Sequence, residues 1–196
     1  MREVELKAVL DSWNDRRARI LKAGATLVFA GRLEDRRYDA DDRSLAARDI
    51  VLRLRIYRNA DGARAELEFK GATSYERGYK VREEVGSTVS DPESVALMLA
   101  GLGYIVTRAI DREIEQFELD ETIVRFERYP RMDDLVEVEG EPDALERAIA
   151  TLGLPRTTFT ADRLTDFALR YEARTGQRAA LADAELSGNA PPVREL

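Results

Sequence analysis

Six stretches of this chain alternate charged with apolar residues at a period of two, and few folds accept that pattern. Side chains at i, i+2 and i+4 of an extended strand share one face. The first stretch, Glu3-Val4-Glu5-Leu6-Lys7, therefore sets two carboxylates and an ammonium on one side and apolar residues on the other. The spacing predicts strands near 2–10, 33–40, 50–58, 63–70, 79–86, 105–119, 121–129 and 134–140. Asn59-Ala60-Asp61-Gly62 reads as a hairpin turn, as does Leu119-Asp120-Glu121-Thr122. Consecutive strands with few crossovers point to an eight-stranded antiparallel β-barrel.

Four helices punctuate the strands. Ser12 can cap one over 13–23, with Gly24 as its stop. Ser90 or Asp91 caps the next, with Pro92 in its first turn and Gly101 and Gly103 at its end. A third runs over Pro142–Leu152 to Gly153, and a fourth over Asp162–Arg174 to Gly176. The fold class is α+β, with one domain over 1–175. The remainder, 176–196, holds Ser, Gly, Asn and Pro-Pro without periodicity and is expected to be loosely ordered. The Asp35-Arg36-Arg37-Tyr38-Asp39 run reads as a solvated strand end, and Gly71–Gly78 as a long hairpin loop.

The strand faces decide what the fold could hold. Arg53 and Arg55 oppose Leu52, Leu54 and Ile56; Glu66, Glu68 and Lys70 oppose Ala65, Leu67 and Phe69. Lys80, Arg82 and Glu84 oppose Val81 and Val85, with Glu83 interrupting the apolar side. Arg125 and Glu127 oppose Val124 and Phe126, and Glu137 and Glu139 oppose Val136 and Val138. One wet face and one packed face would explain any single strand. Solvated faces, however, usually mix in Ser, Thr, Asn and Gln, whereas these are almost wholly Glu, Arg and Lys. Four helices also need the apolar faces for packing. The charged faces are therefore expected inside the barrel and the helices outside it. Enclosed charges are costly unless compensated, and a divalent metal with a polyanion compensates both signs.

Composition narrows the chemistry. With no cysteine and no histidine, disulfides, thiolate nucleophiles, Ser-His-Asp triads and zinc sites built on those ligands are excluded. Any metal is held by oxygen, which points to Mg²⁺, Mn²⁺ or Ca²⁺. A net charge of −7 argues against nucleic acid as a partner. The sequence shows no signal peptide and no apolar run of membrane-spanning length, so the expectation is a cytoplasmic protein without a membrane partner. A homodimer is compatible with the sequence, which does not fix the oligomeric state.

Glu3-x-Glu5-x-Lys7 resembles the signature of the CYTH superfamily, the triphosphate tunnel metalloenzymes. Leu52-Arg53-Leu54-Arg55, Glu68-Phe69-Lys70-Gly71, Arg82-Glu83-Glu84, Asp111-Arg112-Glu113, Glu127 and Val136-Glu137-Val138-Glu139 follow in the family's order over about residues 1–175. The resemblance implies a β-tunnel binding a triphosphate-containing small molecule with Mg²⁺ or Mn²⁺. Glu3, Glu5, Glu137 and Glu139 would hold metal, with Glu127 assisting where the family usually carries Asp. Lys7, Arg53, Arg55, Lys70 and Arg112 would contact phosphate, and Arg82, Glu84 and Arg125 extend that set on the charged faces. The family often has Lys-Ser-Tyr before its last helix; here the segment reads Thr160-Ala161-Asp162-Arg163-Leu164, with Arg163 in place of the lysine.

The expected reaction is hydrolysis of inorganic tripolyphosphate or an organic triphosphate such as thiamine triphosphate, with Glu5 and Lys7 at its centre. One alternative is a class IV adenylyl cyclase, which would need a nucleoside pocket; Tyr75, Tyr79 and Phe117 are the aromatic candidates. The other is a polyphosphate-binding protein without catalysis.

Overall fold

The computed structural model of the chain describes residues 4–72, 74–76, 79–81 and 83–187. The expected α+β class is present: eight antiparallel strands form one sheet, accompanied by helices. The strands are β1 (Val4–Val9), β2 (Thr26–Ala40), β3 (Val51–Asn59), β4 (Gly62–Lys70), β7 (Glu84–Val89), β8 (Tyr104–Leu119), β9 (Thr122–Arg128) and β10 (Leu135–Gly140). A separate two-stranded ribbon comprises β5 (Ser74–Glu76) and β6 (Tyr79–Val81). The helices are α1 (Trp13–Lys22), α2 (Ser44–Ala47), α3 (Pro92–Gly101), α4 (Pro142–Leu152), α5 (Leu164–Thr175) and α6 (Asp183–Leu186).

The ladder order is β1-β10-β9-β8-β2-β3-β4-β7. Among the described residues no ladder joins β1 to β7, so hydrogen bonding leaves the sheet open where a closed barrel was expected. The expected strand over 79–86 also divides. Its break falls at Glu83, the residue that interrupts the alternation, whose carbonyl accepts from the Gly71 N–H at 2.8 Å. Beyond it, β7 pairs with β4 from Lys70↔Glu84 onward.

The chain groups into two compact units, one of described residues up to Gly31 and from Arg112 onward, the other Arg32–Asp111. In the first, the terminal unit, Ala8, Val124, Phe126, Val136, Val138 and Phe117 pack from one sheet face against Ile20 of α1 and Leu145, Ala148, Ile149 and Leu152 of α4. Trp13 packs on the same cluster, its ring 5.3 Å from that of Phe126, as its place in an amphipathic helix suggests. Ser12 caps α1 through a bond from the Asp15 N–H, and Gly153 closes α4 at a φ of +70°, a left-handed conformation that glycine adopts without Cβ strain. In the second, the central unit, Leu54, Ile56, Ala65 and Tyr38 bury one face against Leu99 of α3, with Val95 and Ala96 alongside.

The segment after Gly176 departs from its expected looseness as far as Ser187. Ala180 bridges Arg131 through two backbone bonds of 2.8 and 3.1 Å, and Ala179, Ala180, Leu181 and Ala182 are all buried. Small apolar residues suit close approach of one backbone to another, and Glu185 fixes the turn by accepting the Leu181 N–H at 2.6 Å.

Candidate functional site

Opposite its apolar core, the terminal unit carries a charged line running across four strands. Register places Lys7 opposite Glu137, Glu137 opposite Arg125, and Arg125 opposite Gln116. The side chains follow the register. Arg125 Nη1 donates to Glu137 Oε1 at 2.6 Å and its Nε to Gln116 Oε1 at 3.1 Å, while Lys7 Nζ reaches Glu137 Oε2 at 2.8 Å. Lys7 also pairs with Glu5, two residues back on the same face. Arg125 is 8% exposed and Glu137 7%, values usual for apolar core rather than a charged surface. Burial alone would raise the Glu137 pKa, but Arg125 and Lys7 outweigh it and hold the carboxyl at about 2.

A second buried pair lies on this face. Arg112 Nε donates to Glu127 Oε1 at 2.8 Å, and Tyr129 Oη donates to Glu127 Oε2 at 2.6 Å. Burial, then the Glu127 charge, push the Tyr129 phenol well above its ordinary pKa, so it stays a donor. Sequence spacing singled out Arg112 and Glu127; it missed Tyr129, which lies just beyond β9.

The carboxylates on this face are all oxygen donors. Glu5 stands opposite Glu139 across β1 and β10, and Glu137 lies one position along from that pair. Such a set suits a hard divalent cation. Among the described residues, however, no three acidic side chains form a metal-binding group, and Lys7 and Arg125 take up the Glu137 oxygens. Glu127, like Glu137, has both oxygens engaged, here by Arg112 and Tyr129. Glu3 lies outside the described residues, as does Arg82. Arg163 is exposed just before α5, its backbone N–H donating to Asp166 at 2.9 Å, and its side chain takes no part in these ion pairs.

The charged face of the central unit is built in the same way. Arg55 makes a two-pronged contact with Asp35, Nε to Oδ1 at 2.7 Å and Nη2 to Oδ2 at 2.9 Å. Arg53 donates from Nε to Glu68 at 2.5 Å and approaches Asp35 at 3.8 Å. Burial acts to raise the Glu68 pKa, yet the bond from Arg53 and the charges of Arg53, Arg55 and Lys70 prevail and lower it. Lys70 pairs with the more exposed Glu84 at 2.8 Å.

The run Asp35–Asp39, read from sequence as a solvated strand end, is instead part of this structure. Asp35 is 2% and Asp39 3% exposed. Asp39 accepts the N–H groups of Leu45 and Ala46 at 2.9 Å each, so its carboxylate caps α2. Phe117, an aromatic candidate for a nucleoside pocket, is fully buried in the apolar core of the terminal unit and cannot face a ligand. The side chains of Tyr75 and Tyr79 lie outside what is described. The terminal unit also has a cavity of about 480 Å³, lined by Val9, Asp133, Phe167, Arg170 and Arg174.

The chain is similar to known proteins. The CYTH domain family matches residues 1–148. A Vibrio parahaemolyticus protein provisionally named an adenylate cyclase is similar in structure, with a TM-score of 0.68 at 18% identity over 85% of this chain and 97% of that one. A Pyrococcus horikoshii protein gives 0.65 at 17% identity, over 84% and 98%. A Hippeastrum protein whose dominant activity is that of a triphosphatase gives 0.60 at 15% identity, over 91% and 97%. At these identities the likeness is one of fold. No curated protein matches the chain. No helix among the described residues is long and apolar enough to cross a membrane.

Proposed function

The chain belongs to the CYTH domain family, and from that premise we propose that it hydrolyses a triphosphate, inorganic or organic, with the help of Mg²⁺ or Mn²⁺. One observation carries the reading: Glu137, Arg125, Glu127, Arg112 and Asp35 are each 8% exposed or less, yet they belong to charged faces and not to the apolar core. Burying so many ionised groups costs several kcal/mol per ion, so a fold keeps them for chemistry more readily than for stability.

Glu5, Glu137 and Glu139 are the residues proposed to hold the metal. Bound there, the ion would polarise a phosphoryl oxygen and lower the pKa of a water nucleophile. Lys7, which pairs with Glu5 and Glu137, would be available to a phosphoryl group if a cation took over those carboxylates. Arg112 and Arg125 add fixed charge on the same face. Arg53 and Arg55 are proposed to neutralise the phosphate chain, because guanidinium forks match its oxygens in pairs. With no histidine in the chain, a proton from the attacking water goes to a carboxylate or to bulk solvent.

A panel of tripolyphosphate, thiamine triphosphate and ATP, each with Mg²⁺ or Mn²⁺, tests this. Metal-dependent release of phosphate is the expected result. Binding without turnover in either metal would leave a polyphosphate sensor, and formation of cyclic AMP would assign a cyclase.

A further inference from the structure

Past its first turn, α3 has no polar side. In a chain whose residues are 35% charged, no charge falls between Glu93 and Arg108. One side of the helix is accounted for: Val95, Ala96 and Leu99 pack on the core of the central unit. Leu97, Met98 and Gly101 lie within about 100° of one another on the opposite side, at 3.6 residues per turn, and Leu102 flanks them. That side of a surface helix is normally polar, yet Leu97, Met98 and Leu102 are 73%, 63% and 75% exposed. The sheet face that α3 packs on is also left partly open. Phe69 and Val85 oppose each other across β4 and β7 and are exposed, and Phe69 shares its face with Leu67, which packs on that core. Val106, two residues beyond Tyr104 on the strand face that meets the same core, is exposed as well.

These six exposed side chains leave roughly 600 Å² of apolar surface on one side of the central unit, the upper end for the largest such patch on a typical monomer. We infer that this face is the contact surface of a homodimer, with α3 of one copy set against α3 of the other across a two-fold axis. Three observations select a second copy as the occupant. Homodimer interfaces are about 65% apolar, so the ~800 Å² that each partner contributes needs roughly 500 Å² of apolar surface, which this face supplies. The net charge of −7 makes two copies repel where charged surfaces meet, so a neutral face is where they associate at least cost. An apolar face also complements itself, as a two-fold contact demands, whereas a partner recognised by charge finds no group to pair with from Ser94 to Thr107. Gly101, where an added Cβ would have nothing within 4 Å, lies in the middle of the face and lets the two helices approach closely.

Sedimentation velocity across a concentration series, with thermal denaturation at each concentration, tests this. It compares wild type with Leu97→Glu, Met98→Glu and, as a control, Leu27→Glu, which alters an exposed apolar residue of the terminal unit. Wild type should sediment as a dimer, and its thermal midpoint should rise with protein concentration. Leu97→Glu and Met98→Glu should each raise the dimer dissociation constant at least ~100-fold, because the charge enters the contact twice. Both should keep the circular dichroism of wild type, since neither side chain is buried. Leu27→Glu should leave the dimer intact. A wild type that is monomeric at every concentration overturns the inference, and flotation of that monomer with phosphatidylcholine vesicles would give the face to lipid instead. A dimer that survives both α3 substitutions, or that dissociates as readily with Leu27→Glu, overturns it too.

Discussion

Glu137→Gln is the substitution that most directly probes the charged face of the terminal unit. The amide keeps the shape of the carboxylate but removes the charge that Lys7 and Arg125 share, at 2.8 and 2.6 Å. Arg125 is 8% exposed, so water cannot replace the lost partner well. Removing one member of a buried ion pair costs about 3–5 kcal/mol, and the amide oxygen still accepts one hydrogen bond, so about 2–3 kcal/mol is expected. For a chain of this length about 1 kcal/mol lowers Tm by about 2–4 °C, which gives a fall of roughly 4–12 °C in metal-free buffer. Urea denaturation monitored by circular dichroism measures the free-energy change directly. A double-mutant cycle with Arg125→Met should show a coupling of at least about 1 kcal/mol, since the second substitution removes the stranded cation. Tripolyphosphate should stabilise Glu137→Gln more than wild type, because the uncovered cations find an anion. A variant within about 0.5 kcal/mol of wild type, with no coupling to Arg125, would show that Lys7, Glu137 and Arg125 do not form a desolvated network.

Other expectations follow from the same contacts. Acid titration of the metal-free protein gives a signed test: the folded Glu137 carboxyl lies at about 2, below its ordinary value of 4.5, so its stabilisation is complete above about 4.5 and is lost as pH falls toward 2; Glu137→Gln should flatten that part of the stability curve. Glu5→Gln should abolish metal-dependent turnover yet shift stability by less than about 0.5 kcal/mol, since Glu5 is exposed, and retained activity would remove Glu5 from the metal set. Arg55→Ala should raise KM for the triphosphate and also destabilise the central unit by about 1–3 kcal/mol by stranding buried Asp35, whereas Asp35→Asn/Arg55→Ala together should recover part of that loss. Gly153→Ala should cost about 1–2 kcal/mol by thermal denaturation, because a Cβ at φ +70° is strained, while the Arg19 guanidinium end, 2.6 Å from that Cβ, can move aside.

What the sequence made legible, and what it concealed, separate on physical grounds. Period two exposes a strand whose faces contrast, so β1, β3, β4, β9 and β10 could be placed within a residue or two and their charged residues named. The same rule fails where both faces are polar. In β2, Leu33, Asp35, Arg37 and Asp39 form one face and Glu34, Arg36 and Tyr38 the other, so almost no apolar contrast marks which side is enclosed. Pairing with β3 decides it, setting Asp35 opposite Arg55 and Arg37 opposite Arg53, and register between distant segments is not written in either strand alone.

The same limit explains the other departures. Glu127 is visible in the sequence as a carboxylate on a charged face; the cross-strand arrival of Arg112 and the return of Tyr129 after β9, which the sequence does not show, supply its partners. Asp39 reads as part of a solvated strand end until α2 brings two unsatisfied backbone N–H groups to it. In each case the residue type was visible and its partner was not.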